Sequence, residues 1–566
     1  MTSKALPNSF HPARRLLAYS LKRTSGLTVL MTVVALLACP VYTLLKIERI
    51  YENTAKAYNL NSVAPLLMMI TAIASVAAAL VYMFINFAFL YSRSSSDFFH
   101  SLPTTRTGLL FARLSASILP IIIPVTLVYG AMCGLKLSKY VECSIKPILK
   151  GYAFNLLILF ALAAFSLIFM ICAGSIFDLI ISFFTFNVGI VLVQLINSLF
   201  CQNFLFGYPY NYTENIVDAS SPFWFAFTKF SSILEGELPA RAEVLFAVKL
   251  LIITFFSLAV SVALYRGRKS EKSGISYAYN FIYIVCGLIV GVLGAFGVGS
   301  IFAEGDINLV FWVFAVVGGV LAAITFGAIN DRGFKTIKKS AIMGAVSVAL
   351  LGSFTVILIT GCFGYSKRVP AANKIESITV EFTGMQMTVK EPETVLQLHG
   401  KIVNNEDNGG DYLNIDYTLK NGKHFVRNYT DISYSDYMPL LLKLYKSPEH
   451  IKKIRSSISD SIISNRSVSA RDYTVTDEGK TAPGYSYEEA VYEETAVTEA
   501  QLKKLVEAYI SDLPKATYKS ITDECPLSLE ISGVDKSHKY TYIYLKVEET
   551  FENTLAVIKE LNVKIS

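Results

Sequence analysis

The chain has 566 residues, of which 53% are hydrophobic and only 17% charged, against about 25% charged in an ordinary globular protein, so a string of soluble domains is excluded. Its net charge of +7 is unevenly divided: residues 1–366 hold 26 Lys and Arg against 14 Asp and Glu, a surplus of 12, and residues 367–566 carry −5. A basic, apolar front and an acidic, polar back predict a polytopic α-helical membrane protein followed by an α+β soluble domain, and hydrophobicity this high excludes disorder in the front.

In chain order, Phe10, Ala13, Leu16, Leu17 and Leu21 come first, recurring at helical spacing around Arg14 and Arg15, with Lys22 and Arg23 following. The pattern predicts an amphipathic helix in the membrane interface, with a solvated basic tail as the alternative. The apolar run after Arg23 is too long for a secretory signal and lacks a small-x-small cleavage site. A bilayer core asks for around 20 apolar residues per helix, and nine stretches qualify: 26–46, 63–91, 108–135, 151–174, 179–206, 242–265, 277–303, 308–329 and 340–364. With the N-terminus inside, the cytoplasmic segments hold 16 basic residues against four acidic ones, while the outer segments balance. The positive-inside rule therefore orients the chain. Nine spans then place residues 367–566 outside the cell membrane, a conclusion that one span more or fewer would reverse.

In the C-terminal part, residues 374–383 alternate as a strand and Glu391–Val403 reads as a helix. Residues 411–430 form a hairpin in which Asn421-Gly422 suits a type I′ turn. A helix over Tyr437–Ile458 follows, and residues 460–496 read as a linker or long loop. A second block begins with a helix at Thr498, where Gln501 completes a capping box. Strands at 526–533 and 539–548 and a helix at 551–561 complete it, so strand–helix–hairpin–helix is expected twice.

Enzyme constellations are missing from the sequence. The eight cysteines form no Cys-x-x-Cys pair, the six histidines no His-Glu-x-x-His, and neither Gly-x-Ser-x-Gly nor a phosphate-binding Gly-x-x-x-x-Gly-Lys-Ser/Thr occurs. The expectation is a non-enzyme without metal or cofactor, and any use of ATP would need a partner. The basic surplus lies beside apolar spans, which argues against nucleic acid. Asn211, Asn428 and Asn465 open formal glycosylation sequons.

The segment SSSDFFHSLPTTRTGLLFARL, residues 94–114, follows the second predicted span. Pro103 divides an aromatic-rich turn from a short amphipathic helix capped by Thr104 or Thr105, a shape suited to docking into a soluble partner. This segment resembles the Ser-Leu-Pro-x-x-Arg stretch of permease subunits of type-2 ATP-binding-cassette exporters. The resemblance implies that Asp97, Phe98, His100, Ser101, Leu102, Pro103 and Arg106 form the loop that contacts the ATPase subunit. It covers residues 1 to about 266, a six-span core with an N-terminal interfacial helix, paired with a second permease as homodimer or with a related subunit. An outer loop at 207–241 with apolar pieces is also similar to the family. Three additional spans (267–366) and an extracytoplasmic domain (367–566, with subdomains dividing near 460–496) depart from the six-span pattern. The strand YTLKNGKHFVRNY and the helix LQLHGKIV resemble the C-terminal domain of long Gram-positive permeases, which implies no ligand.

Carriers coupled to protons or sodium place charge at membrane depth, and these spans hold almost none. Asn86, Asn187, Gln194 and Asn197 are polar residues at depth, read as interhelical hydrogen-bond glue before any substrate role. Pro120 and Pro124 interrupt the third span as either a hinge or a static kink. The Gly-rich run at 287–299 reads as a close-packing face. Residues 335–362 resemble a lipoprotein signal ending at Cys362, but the segment is internal, and an ordinary ninth span ending in small residues is the preferred reading. The expected function is a membrane permease subunit that couples a partner ATPase to export. The alternative is a membrane-anchored sensor or resistance protein whose outer domain binds a peptide or envelope ligand without transport.

Overall fold

The computed structural model describes residues 10–45, 58–135, 141–142, 144–209, 221–236, 238–304, 306–382, 385–390, 392–404, 411–432, 437–462, 464–472, 495–521, 525, 527–534 and 540–563. They form two compact units, residues 1–199 with 212–354 and residues 200–211 with 355–566.

The first unit is helical. It contains α1 (Phe10–Leu36), α2 (Leu60–Phe87), α3 (Arg93–Ser101), α4 (Arg106–Gly134) and α5 (Ile145–Cys172). Then come α6 (Ile176–Phe204), α7 (Pro222–Leu234), α8 (Ala240–Gly267), α9 (Asn280–Phe302), α10 (Leu309–Asn330) and α11 (Ile337–Ile359), the ends of α6 and α11 belonging to the second unit. Among the described residues eight helices are long and apolar enough to cross a membrane, and they coincide with the second to ninth predicted stretches. The short break expected between the fourth and fifth is Ala173–Ser175, where Ser175 and Asp178 form a reciprocal capping box.

The first predicted stretch lies on α1, which is not among the eight. The interfacial and apolar parts expected to be separate are one helix. It runs on from Phe10 through a π-turn at Leu37–Val41, with Pro40 inside it, to residue 45. Nothing breaks it at Arg23, because the polar residues there are satisfied within the helix. Ser20 donates to the Leu16 carbonyl at 2.9 Å, Thr24 to Ser20 at 3.0 Å and Thr28 to Thr24 at 3.1 Å. The Gly-rich run is a contact face: a Cβ on Gly318 would sit 2.4 Å from the Gly294 carbonyl oxygen.

The second unit is α+β. Its strands are β1 (Ile375–Phe382), β2 (Met385–Val389), β3 (Asp411–Leu419) and β4 (His424–Ile432), with α12 (Glu393–Asn404) between β2 and β3. Helices α13 (Met438–Tyr445) and α14 (Pro448–Ser461) precede β5 (Ser464–Asp472), β6 (Thr495–Ala496) and α15 (Glu499–Asp512). The chain ends with β7 (Leu527–Val534), β8 (Tyr540–Val547) and α16 (Glu552–Glu560). The sheets are ordered β2-β1-β3-β4 and β6-β5-β7-β8, all antiparallel. In each half, two strands, a helix and a hairpin are laid out in the same second-first-third-fourth order, so the expected duplication is present as architecture. Alternate residues of the strands, such as Ile378, Val380 and Phe382, with Leu398 of α12 and Leu505 of α15, bury one continuous apolar core.

Three local expectations are corrected. Residues 437–458 are not one helix: Ser447 caps a new one at Pro448, whose ring cannot continue the old. The expected linker at 460–496 contains β5, whose alternation is masked by small polar residues; residues 473–494 of it lie outside the described residues. The β3–β4 turn is not type I′, because only Gly422 has a positive φ (73°). Gly422 N–H donates to the Leu419 carbonyl at 2.8 Å, giving a three-residue loop with a glycine bulge.

Candidate functional site

The residues expected to couple to a partner lie on α3 and the turn into α4. Helix α3 ends at Ser101 because Leu102 precedes a proline and takes extended geometry, ψ 145°. Of the two candidate caps Thr105 serves, its hydroxyl accepting from Gly108 N–H at 3.1 Å. The short helix thus lies before Pro103, where a turn was expected, and the expected short helix after Pro103 is the first part of the long helix α4. Helix α3 is two-faced. Asp97, Phe98, Ser101, Pro103 and Arg106 are exposed, Phe98 to 62%, while His100 and Leu102 are half-buried.

The inner face is fastened to the segment that follows α8. His100 Nδ1 lies 2.8 Å from the Ser270 hydroxyl and its Nε2 lies 3.3 Å from the Tyr265 hydroxyl. Burial, reinforced by the charges of Arg106 and Arg268, pushes the His100 pKa below the usual histidine value, which favours the neutral ring. Arg106 donates to the carbonyls of Arg266 and Arg268 at 2.9 and 2.8 Å, closing the carboxyl end of α8. A cation among orphan carbonyls at a helix C-terminus is favoured by both hydrogen bonding and the helix dipole.

Arg268 repeats the device in the interior. It is 2% exposed. It donates to the carbonyls of Ala173 at 2.9 Å, Leu90 at 2.7 Å and Ile171, and so joins the ends of α5 and α2. The chain after it crosses the end of α5 closely: Gly274 N–H donates to the Gly174 carbonyl at 2.9 Å, and a Cβ on Gly174 would meet the Ile275 carbonyl oxygen at 2.0 Å. Arg113, 1% exposed, lies 4.5 Å from the Phe99 ring centre and donates to Ser20 of α1 at 2.9 Å. Pushing on α3 would therefore load α4 and α8 directly, α1 through Arg113, and α2 and α5 through Arg268. Sequence reasoning found His100 and Arg106 but missed Tyr265, Ser270 and Arg268, the last counted only among basic residues that orient the chain.

Pro120 and Pro124 are buried inside α4, which remains helical through both. They line one wall of a cavity of 480 Å³ between α1, α2 and α4. Two polar residues at depth act between helices: Asn86 donates to Ser117 at 3.1 Å, and Asn187 accepts from Ser221 at 3.2 Å.

The second unit offers two further clusters. His399, fully buried, lies 2.7 Å from the Tyr417 hydroxyl and 2.5 Å from that of Tyr429, and burial aided by Arg427 lowers its pKa to about 4. Arg427 donates to the carbonyls of Gly207, Tyr365 and Arg368 and stacks 3.9 Å from the Tyr365 ring centre. Separately, α14, β5 and α15 border a groove of 560 Å³ with an apolar floor of Ile458, Ile462, Leu502 and Val506. Its rim carries the pairs Arg455–Glu507 at 2.7 Å and Arg466–Glu499 at 3.3 Å.

No protein-family model matches the chain, and no curated protein or solved structure is significantly similar to it.

Proposed function

We propose that this chain is the permease subunit of an ATP-driven exporter of the ATP-binding-cassette kind, with α3 receiving the stroke of a partner ATPase. The carrying observation is the division of labour on α3. Asp97, Phe98 and Ser101 are exposed, accessible to a partner, while His100 and the following Arg106 tie the same element to the end of α8. A surface aromatic fixed on a rigid support is the usual form of an interface anchor. Export rather than ion-coupled carriage agrees with spans nearly free of carboxylates.

In this reading the helix at residues 10–45 crosses the bilayer as a ninth span. The basic loops, α3 among them, face the cytoplasm, and the second unit lies outside the cell. A homodimer or a related second permease completes the pore. Affinity capture of the tagged full-length chain from its native membrane, followed by mass spectrometry, tests the proposal. A co-captured ATPase with a phosphate-binding loop is expected, and repeated capture without one contradicts it.

A second reading, a membrane-anchored sensor without transport, draws on the groove rimmed by Arg455 and Arg466. Its apolar floor and paired charges suit a short amphipathic peptide.

A further inference from the structure

The cavity between α1, α2 and α4 has a chemistry of its own. Its walls are almost wholly hydrocarbon, and the polar groups on them are already engaged: Tyr82 OH pairs with Thr28 at 2.8 Å, Ser75 Oγ donates to Asn155 at 3.0 Å, and Thr71 Oγ1 donates to the Leu67 carbonyl at 2.7 Å. A polar ligand would find few partners there. Leu30, Val34, Ile70 and Val81 remain exposed at the mouth, so it opens toward whatever surrounds the helices. On α1 the lining runs from Leu27 to Ala38, which at 1.5 Å per residue is about 16 Å, the shape of a slot for an extended chain.

The slot has one charged end. Continued backward by one turn, the lining stripe of α1 reaches Arg23, which is exposed. On α4 the lining stripe continued backward two turns from Pro120 reaches Arg113, so both helices carry an arginine toward that end of the slot. The described residues from 10 to 135 contain seven arginines and lysines and a single acidic residue, Asp97. An apolar slot ending in a cluster of positive charge is complementary to an anionic amphiphile.

We infer that this groove is a binding site for an anionic glycerophospholipid of the surrounding bilayer, with one acyl chain between Leu27 and Val128 and the headgroup phosphate at Arg23. The site does not depend on transport or on an ATPase.

The test uses purified full-length protein in neutral detergent with equimolar phosphatidylglycerol and phosphatidylcholine, and native mass spectrometry of the lipid retained. Wild type should retain phosphatidylglycerol over phosphatidylcholine by about five-fold or more, the worth of one basic contact at a membrane surface. Arg23→Gln should bring that ratio close to one while chain binding persists. Ala74→Phe, which fills the slot, should remove both lipids, and Val34→Phe repeats that test should the first variant fail to fold. Equal retention of the two lipids by wild type, an unchanged ratio in Arg23→Gln, or undiminished lipid in a folded slot-filling variant overturns the inference. So does a filled variant that loses a dimer but keeps its lipid, because the groove would then belong to a second copy of the chain.

Discussion

Arg268 fastens the segment after α8, to which α3 is tied, to two other spans, since one guanidinium with almost no solvent satisfies carbonyls at the ends of both. Hydrogen bonds from a charged donor contribute roughly 1.5–3 kcal/mol each. Arg268→Ala should therefore lower stability by about 3 kcal/mol, read as a fall in the thermal midpoint in detergent, and Arg268→Lys should recover less than half, because a point charge lacks the fork that reaches both helix ends. Arg106→Ala, on the exposed side, should cost less. The sequence shows these two arginines as equal members of a basic cluster, because burial depends on which helix end arrives above each one, and that is set by the whole bundle. His399 is a second case. Its pKa falls from 6.5 to about 4 on burial, so the folded domain binds fewer protons than the unfolded chain. Its contribution is complete above pH 6.5 and is lost as pH falls through 4, up to roughly 3 kcal/mol. Hydrogen-exchange protection of β3 and β4, corrected for intrinsic rates, should decline over that range. In His399→Gln the decline should be shallower, leaving the part owed to His450, whose pKa burial also lowers to about 4; an unchanged slope would contradict the assignment.

At the scale of elements, what the sequence reveals depends on whether the signal is local. The capping box at Thr498 and Gln501 forms as its spacing predicts, and the hairpin at 411–432 is legible from its alternation. The break at Ser447-Pro448 carried a local signal, a capping serine before a proline, that was outweighed by the helical periodicity on either side. Strand β5 could not be read because Ser464, Ser467 and Ser469 look like loop, and its pairing with β7 is made across sixty residues of chain. The approach of the 274–276 segment to the end of α5 is similarly invisible. Gly174→Ala should prevent that crossing, since the added Cβ cannot coexist with the Ile275 carbonyl. A loss of folded protein in detergent is expected, and near-normal yield and melting would show that the crossing is dispensable.

For the whole molecule, composition alone separates a membrane part from a polar part, and the structure agrees: among the described residues eight helices are long and apolar enough to cross a membrane, beside a duplicated α+β unit. Span count is harder, because α1 joins a basic half to an apolar half without a break, and that one helix decides on which side the second unit lies. If it crosses, a cysteine at Asn421, exposed in the β3–β4 turn, should react with an impermeant reagent in intact cells; reaction only after permeabilisation would place the unit inside. Coupling through α3 is tested by the amount of partner ATPase that co-purifies with wild type and with Phe98→Ala, a substitution on the exposed face that touches none of the His100, Arg106 or Arg268 contacts. Loss of an interface anchor of about 2 kcal/mol predicts roughly a thirty-fold weaker association with unchanged melting of the permease. Undiminished ATPase recovery with Phe98→Ala would contradict a coupling role for α3.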